Sequence, residues 1–210
     1  MKQFIRNFNK QKVVGVLNIC SLSLGVMVAV IVGLWTINEL SFDNFHKDKD
    51  RMYRIVEHIT LNGSPTKLGS TFMPFGDAAK AVIPEIEDMC RVVINNGGEI
   101  RIAQTLHLQN KVLMVDANFF SFFTFPLTEG HPEDVLSAPN KVVISENAAA
   151  NFFPRQDAIG QNIRYEEQDF AVSGVMKNMP LNSSFRGDII FPFFGAYLTE
   201  VWGQRDNKTT

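Results

Sequence analysis

Two cysteines in 210 residues, Cys20 and Cys90, leave no disulfide framework, no CxxC pair and no zinc-ligand spacing. Four histidines, His46, His58, His107 and His131, are scattered, with no HExxH and no pair four residues apart. A G-x-S-x-G elbow, a Walker phosphate loop and a dinucleotide fingerprint are missing as well. Each histidine therefore reads as a surface or half-buried side chain, and Cys90 as a small buried hydrophobe rather than a nucleophile. The acidic knot Glu85, Glu87 and Asp88 reads as a solvated helix end. Asp43, Asp48 and Asp50 lack the glycine and closing glutamate of a calcium loop. No residue is singled out for catalysis, for a cofactor or for a metal. The chain reads as non-enzymatic.

Charge is absent from one long stretch, the 25 residues from Val13 to Ile37. As a helix rising about 1.5 Å per residue it reaches about 37 Å, against a hydrocarbon core of about 30 Å. A cleaved signal peptide has a shorter apolar core and a small-residue cleavage site, which Trp35-Thr36-Ile37-Asn38-Glu39 does not offer. Leu17-Asn18-Ile19 before Cys20 does not suit a lipoprotein anchor. The stretch reads as a retained transmembrane helix. Residues 1–12 carry Lys2, Arg6, Lys10 and Lys12 and no acid, which marks the cytoplasmic side and places residues 38–210 outside. Phe4, Ile5 and Phe8 share one side of this basic segment, as in a short helix lying among lipid headgroups. Residues 13–210 hold 16 basic against 22 acidic side chains, a balance that argues against nucleic acid as a partner.

Inside the apolar stretch, Ser21, Gly25, Ala29 and Gly33 recur every four residues and form a ridge of small side chains. Such a ridge lets a second helix approach closely, so that van der Waals contact drives association in lipid.

The following 173 residues suit one medium domain or two small ones. Tyr53–Thr60 alternates like a first strand, with a turn at Asn62-Gly63-Ser64-Pro65. Thr71–Val82 reads as a helix broken by Pro84. Met89–Ile94, Ile100–Leu108 and Val112–Val115 read as strands, with a turn at Asn95–Gly98. Five phenylalanines in the seven residues 119–125 read as a helical turn pinned into a core. Pro132–Asn140 reads as a linker and Lys141–Ser145 as a strand. Glu146–Phe153 reads as a helix stopped by Pro154. Ile159–Arg164, Phe170–Met176 and Asp188–Phe194 complete the strands. The class is α+β, one N-terminal membrane helix followed by a mixed α/β domain.

The junction Glu39-Leu40-Ser41-Phe42-Asp43-Asn44-Phe45-His46, with Asp50-Arg51-Met52-Tyr53-Arg54, resembles the FtsX-like ABC-transporter permeases that carry a MacB-type periplasmic core. The resemblance continues through Val115–Phe120, Phe123, Phe125-Pro126-Leu127 and Gly130. It extends to Val142–Glu146, Phe152-Phe153-Pro154, Ile159-Gly160-Gln161, Val172–Met176 and Pro180, and the junction is most similar to the Bacteroidetes branch. It implies an inner-membrane permease subunit, its N-terminus cytoplasmic and residues 38–210 periplasmic. Its implied partners are a cytoplasmic ABC ATPase, a second permease copy and membrane lipid, with room for periplasmic or outer-membrane proteins. It further implies a porter-like part over about 45–115 and 178–210, and a smaller β-rich part over about 116–177. Permeases of this kind move their periplasmic domains to act on a substrate outside the inner membrane. They continue into further membrane helices, so the sequence up to Thr210 is expected to be a fragment or the product of a split or truncated gene. The alternative is a single-pass, membrane-anchored binding module without transport. The residues expected to carry coupling are the ridge Ser21, Gly25, Ala29 and Gly33 and the junction Phe42, Asp43, Phe45 and His46.

Replacing Gly25 and Ala29 by leucine is expected to abolish helix association in a membrane two-hybrid assay; an unchanged signal would sink the packing role of the ridge.

Overall fold

The computed structural model describes residues 12–193, apart from positions 62, 72–73, 96–97 and 110. The expected headgroup helix before Lys12 and the tail from position 194 lie outside the described residues. The chain divides into two compact units, Met1–Asn44 and Phe45–Thr210.

The first unit holds helix α1, Lys12–Leu40. It runs past the expected Ile37 because Asn38, Glu39 and Leu40 contain neither a glycine nor a proline to stop it. Val13–Leu40 is long and apolar enough to cross a membrane, and its side chains are exposed along the whole length. The hydroxyls of Ser21 and Thr36 donate to the carbonyls of Leu17 and Val32, both at 2.8 Å. Polar side chains in lipid need such partners within the helix itself. The helix then tightens, with the Ser41 and Phe42 N–H groups donating to Asn38 and Glu39 carbonyls at 3.1 and 3.3 Å. Asp43 ends it in the left-handed region at φ 53°, a conformation that aspartate visits more readily than most residues.

The second unit is built on a sheet of nine strands. In chain order the strands are β3 (Val92–Asn95), β4 (Gly98–Ile102), β5 (Thr105–Gln109), β6 (Val112–Val115), β7 (Leu127–Glu129), β8 (Lys141–Ser145), β9 (Asn162–Tyr165), β10 (Gln168–Met176) and β11 (Ile189–Pro192). Across the sheet they lie β3-β6-β11-β8-β10-β9-β4-β5, with β7 pairing to β10. The β6–β11 and β8–β10 pairs are parallel and the others antiparallel. A separate hairpin, β1 (Glu57–Leu61) and β2 (Ser64–Leu68), precedes helix α2 (Phe75–Val82). Helices α3 (Phe119–Phe122) and α4 (Glu146–Phe152) complete the unit.

Central strands of this sheet read as nearly unbroken apolar runs because both faces are covered. Their side chains alternate between two cores. Val142 and Ile144 join Val112, Ile189, Phe191 and α4 residues Ala148 and Phe152 on one side. Val143 joins Leu113, Val115, Ile190 and the phenylalanines around α3 on the other. Ser145 starts α4 by accepting the Ala148 N–H at 3.1 Å, and its own hydroxyl donates to Asp188 at 2.6 Å.

Several sequence expectations need correction. Ile100–Leu108 is two strands, not one, folded at Ala103-Gln104 with Ala103 at φ 52°; neither residue signals a turn. Strand β7 was not expected, because its three residues are too few for a pattern. Pro132–Asn140 is no linker: Val135 and Leu136 are fully buried. Two glycines make that possible. A Cβ on Gly174 would lie 2.7 Å from Val135 Cγ1, and one on Gly130, at φ 96°, would lie 2.5 Å from it. The one sheet takes β8, β9 and β10 from 116–177 in its middle, flanked by strands from 45–115 and 178–210.

Gly174→Ala is expected to destabilise the detergent-solubilised chain by about 1–3 kcal/mol through overpacking, with part of the loss recovered when Val135 is also alanine. Gly130→Ala is expected to recover less, since its positive φ and the Ser173 carbonyl at 3.0 Å remain. Urea titration followed by circular dichroism checks both; simple additivity would refute the shared socket.

Candidate functional site at the start of the domain

The expected junction residues fall on both sides of the unit boundary, Phe42 and Asp43 before it, Phe45 and His46 after it. Phe42 is 41% exposed, whereas His46 is only 4% exposed, so the expectation of a surface or half-buried histidine fails here. The Phe-rich segment explains the burial. Helix α3 is a single turn that sets Phe119 and Phe120 into the core, and the chain then extends through Phe123, Thr124 and Phe125. The Thr124 N–H donates to His46 Nδ1 at 3.1 Å, and the Lys47 N–H donates to Thr124 Oγ1 at 2.9 Å. Two residues are thus tied to one by a pair of reciprocal hydrogen bonds.

Aromatic rings close around this link. The His46 ring centroid lies 4.2 Å from Phe45, 5.1 Å from Phe125 and 5.3 Å from Phe123. Phe125 stacks on Phe119 at 5.4 Å, and Phe123 meets Phe185 at 5.1 Å. An Nδ1 that accepts a backbone N–H carries no proton, so the hydrogen-bond pattern assigns the Nε2–H tautomer. A charged ring would turn an N–H toward the Thr124 N–H. At Nδ1 the ring therefore acts as an acceptor that anchors Thr124.

A second, polar attachment lies beyond it. The β3–β6 register pairs Val92 with Val115, which sets Arg91 opposite Asp116. Arg91 Nε and Nη2 reach the Asp116 carboxylate at 3.0 and 2.9 Å, and the Arg91 N–H donates to the same group at 2.7 Å. Arg91 Nη1 also reaches Asp77 on α2 at 3.1 Å, and the guanidinium lies 5.4 Å over the Phe193 ring. The Asp116 hydrogen bonds raise the Arg91 pKa despite its partial burial.

Two members of the acidic knot, Glu87 and Asp88, are paired rather than merely solvated. Lys80 on α2 reaches Asp88 at 2.8 Å, Asn118 donates to Asp88 at 2.7 Å, and Arg51 meets Glu87 at 2.5 Å. Partial burial pushes Asp88 up, but hydrogen bonds from Lys80, Asn118 and the Met89 backbone bring it below the ordinary carboxylate value. Burial, then the Asp116 charge, pushes the Cys90 thiol far up, so it is no nucleophile at neutral pH. No residue of α2 is buried; ion pairs and the Met89 side chain against Gly76 hold it.

The ridge residues stand apart from this site, on α1, where a Cβ added to Gly25 or Gly33 would meet nothing within 4 Å. An open groove of about 460 Å³ runs beside α4, with Glu129, Glu146, Phe153, Asp157 and Val175 in its wall and no histidine or cysteine. Among the described residues no three His, Cys, Asp or Glu side chains are placed to hold a metal ion.

A family model described as the MacB-like periplasmic core domain matches residues 16–209. The chain belongs to this family. Among solved structures, a domain of a protein described as a permease from Porphyromonas gingivalis matches with TM-score 0.55 at 20% identity. That match covers 61% of this chain and 55% of the other, so this chain spans about half the length of that one, and the likeness is one of fold. The periplasmic region of MacB from Actinobacillus actinomycetemcomitans matches with TM-score 0.41 at 15% identity, over 54% of this chain and 50% of that one. The extracellular domain of the ABC-type transporter YknZ from Gram-positive bacteria matches with TM-score 0.46 at 16% identity, over 60% and 64%. No curated protein sequence matches. The chain thus carries a membrane-length helix and a MacB-like periplasmic core domain.

Sequence reasoning missed Thr124 and the Arg91–Asp116 brace. Thr124 had a signal, being a lone polar residue among phenylalanines. The brace joins residues 25 positions apart and becomes visible only with the β3–β6 register.

His46→Leu is expected to cost about 1–3 kcal/mol, because the Thr124 N–H would be left without its acceptor. Thr124→Val should cost about 0.5–1.5 kcal/mol through the Lys47 N–H. Thermal unfolding of the detergent-solubilised chain checks both, and melting points equal to the parent's would show that the link does not anchor the domain.

Proposed function

We propose that this chain is the N-terminal part of an ABC transporter permease subunit. In this reading its periplasmic domain couples ATPase-driven motion of membrane helices to export or extraction of a substrate outside the inner membrane. Family membership supports the class of protein. The observation that carries the coupling role is the entry at Phe45 and His46: only Ser41–Asn44 separate the end of α1 from a half-buried Phe45 packed on the core and a buried, hydrogen-bonded His46. A pull on the helix would then reach the core without passing through a long slack linker.

The N-terminus lies in the cytoplasm and residues 38–210 in the periplasm. A cytoplasmic ABC ATPase supplies the hydrolysis, the chain itself being non-catalytic, and the ridge Ser21–Gly25–Ala29–Gly33 packs against a helix of a second permease copy or of the same subunit. The porter-like part (about 45–115 with 178–210) and the smaller β-rich part (about 116–177) share one sheet in this proposal, so they move together.

Affinity purification of the tagged chain from its native membranes is expected to bring down an ABC ATPase. Reproducible failure to find one overturns the permease reading in favour of a single-pass anchored binding module. A short Gly/Ser insertion between Asn44 and Phe45 is expected to keep the ATPase bound while removing any effect of ATP on proteolysis of the domain.

A further inference from the structure

The sheet ends at β3 on one side and at β5 on the other. Natural sheets protect such edges with charges, proline or bulges. Strand β5, Thr105-Leu106-His107-Leu108-Gln109, has no charge, no proline and an unbroken register with β4, and among the described residues nothing pairs with its outer side. The two-residue loop Ala103-Gln104 makes Ile102 and Thr105 a hydrogen-bonded pair, and the pattern alternates from there. Ile100 and His107 therefore bond to each other, while Leu106 and Leu108 turn their N–H and C=O groups to the open edge. Their side chains are 49% and 75% exposed. His107 faces the other way, its ring 4.9 Å from Phe152.

We propose that β5 is an interface through which two copies of this chain pair edge to edge, antiparallel about His107. The inference rests on the membrane-permease reading only for the confinement of both copies to one membrane. Pairing about His107 sets Leu106 opposite Leu108 of the second copy, and Leu108 opposite its Leu106. The outward-facing groups of these residues then form about four backbone hydrogen bonds. No like charges meet, because the strand has none. The next strand adds complementarity: Leu108 lies beside Glu99, and Leu106 beside Arg101. Each leucine pair is thus bracketed by an acid on one copy and a base on the other. A strand of five residues buries less than the standard interface of about 1,200–2,000 Å², so the contact is weak between free molecules. Two copies held in one membrane by α1 meet at a much higher effective concentration.

The test uses the full chain in native membranes, with Cys20→Ala and Cys90→Ala so that introduced thiols are read alone. His107→Cys places two thiols across the axis, at a non-hydrogen-bonded pair with Cα atoms about 4.5 Å apart, within disulfide reach. Mild oxidation is expected to convert most of this variant to a dimer on non-reducing gels, and Glu133→Cys, at an exposed turn away from β5, to leave the chain monomeric. Adding Leu106→Lys and Leu108→Lys should reduce the dimer at least tenfold with an unchanged melting temperature. Should that triple variant unfold, Leu108→Glu alone serves. Should His107→Cys unfold, the Leu106→Cys/Leu108→Cys pair replaces it. Cross-linking of His107→Cys no stronger than that of Glu133→Cys, persistence of the dimer with both lysines, or a cross-linked band of another mass would each overturn the proposal. ATPase co-purification is scored separately. Its loss with cross-linking intact counts against the permease alone, and the reverse pattern counts against the edge alone.

Discussion

One hydrogen bond, from the Thr124 amide to the His46 ring, fixes where the domain begins. The bond is half-buried, and an amide shielded from water without an acceptor costs more than a formed bond returns, so the imidazole is held where it stands. The Phe45, Phe123 and Phe125 rings then settle its orientation, and Phe119 extends the stack toward strands β6, β8 and β11. The Phe-rich run supplies the packing of this arrangement. Each aromatic side chain in a short helical turn can bury about 150–250 Å² around the polar link.

The domain is attached to its own parts in two different ways. The central sheet is held by burial on both faces, with side chains alternating between two dry cores. The segment from β1 to α2 buries no residue in its strands or its helix and depends on ion pairs to Asp88 and Arg91. Exposed ion pairs contribute little each and weaken with salt, whereas packed cores resist gradual deformation. The domain is thus stiff across the sheet and soft at the segment that precedes it.

How much of this was legible in the sequence follows from range. Features set within one stretch could be read: the uncharged run that became α1, strands β6 and β8 at their observed ends, and the phenylalanine turn. Features set by distant partners could not. Arg91 meets Asp116 only because β3 and β6 align across an intervening hairpin, and Val135 is buried only because Gly130 and Gly174 converge on it. The Ala103-Gln104 turn lacked glycine or proline, so a positive φ on alanine concealed a strand break. His46 was picked out at the junction by resemblance, but its burial depended on Thr124, 78 positions away.

The sheet order links the two features on which function is proposed to rest. The anchor packs beneath β6, β11 and β8, and from β8 the sheet passes through β10, β9 and β4 to the open edge at β5. Every step is a hydrogen-bonded strand pair, and Val172, Phe170, Ile163, Tyr165 and Ile100 fill the core along the way. Tyr165 stacks on Phe191 at 4.8 Å, joining β9 to β11 across two strands. A displacement entering at Phe45 and His46 would, in the coupling reading, pass to β5 through paired strands. In the coupling reading, an anchor at one side and a pairing edge at the other are what a lever needs: a point where force enters, a stiff body, and a surface where it meets its counterpart.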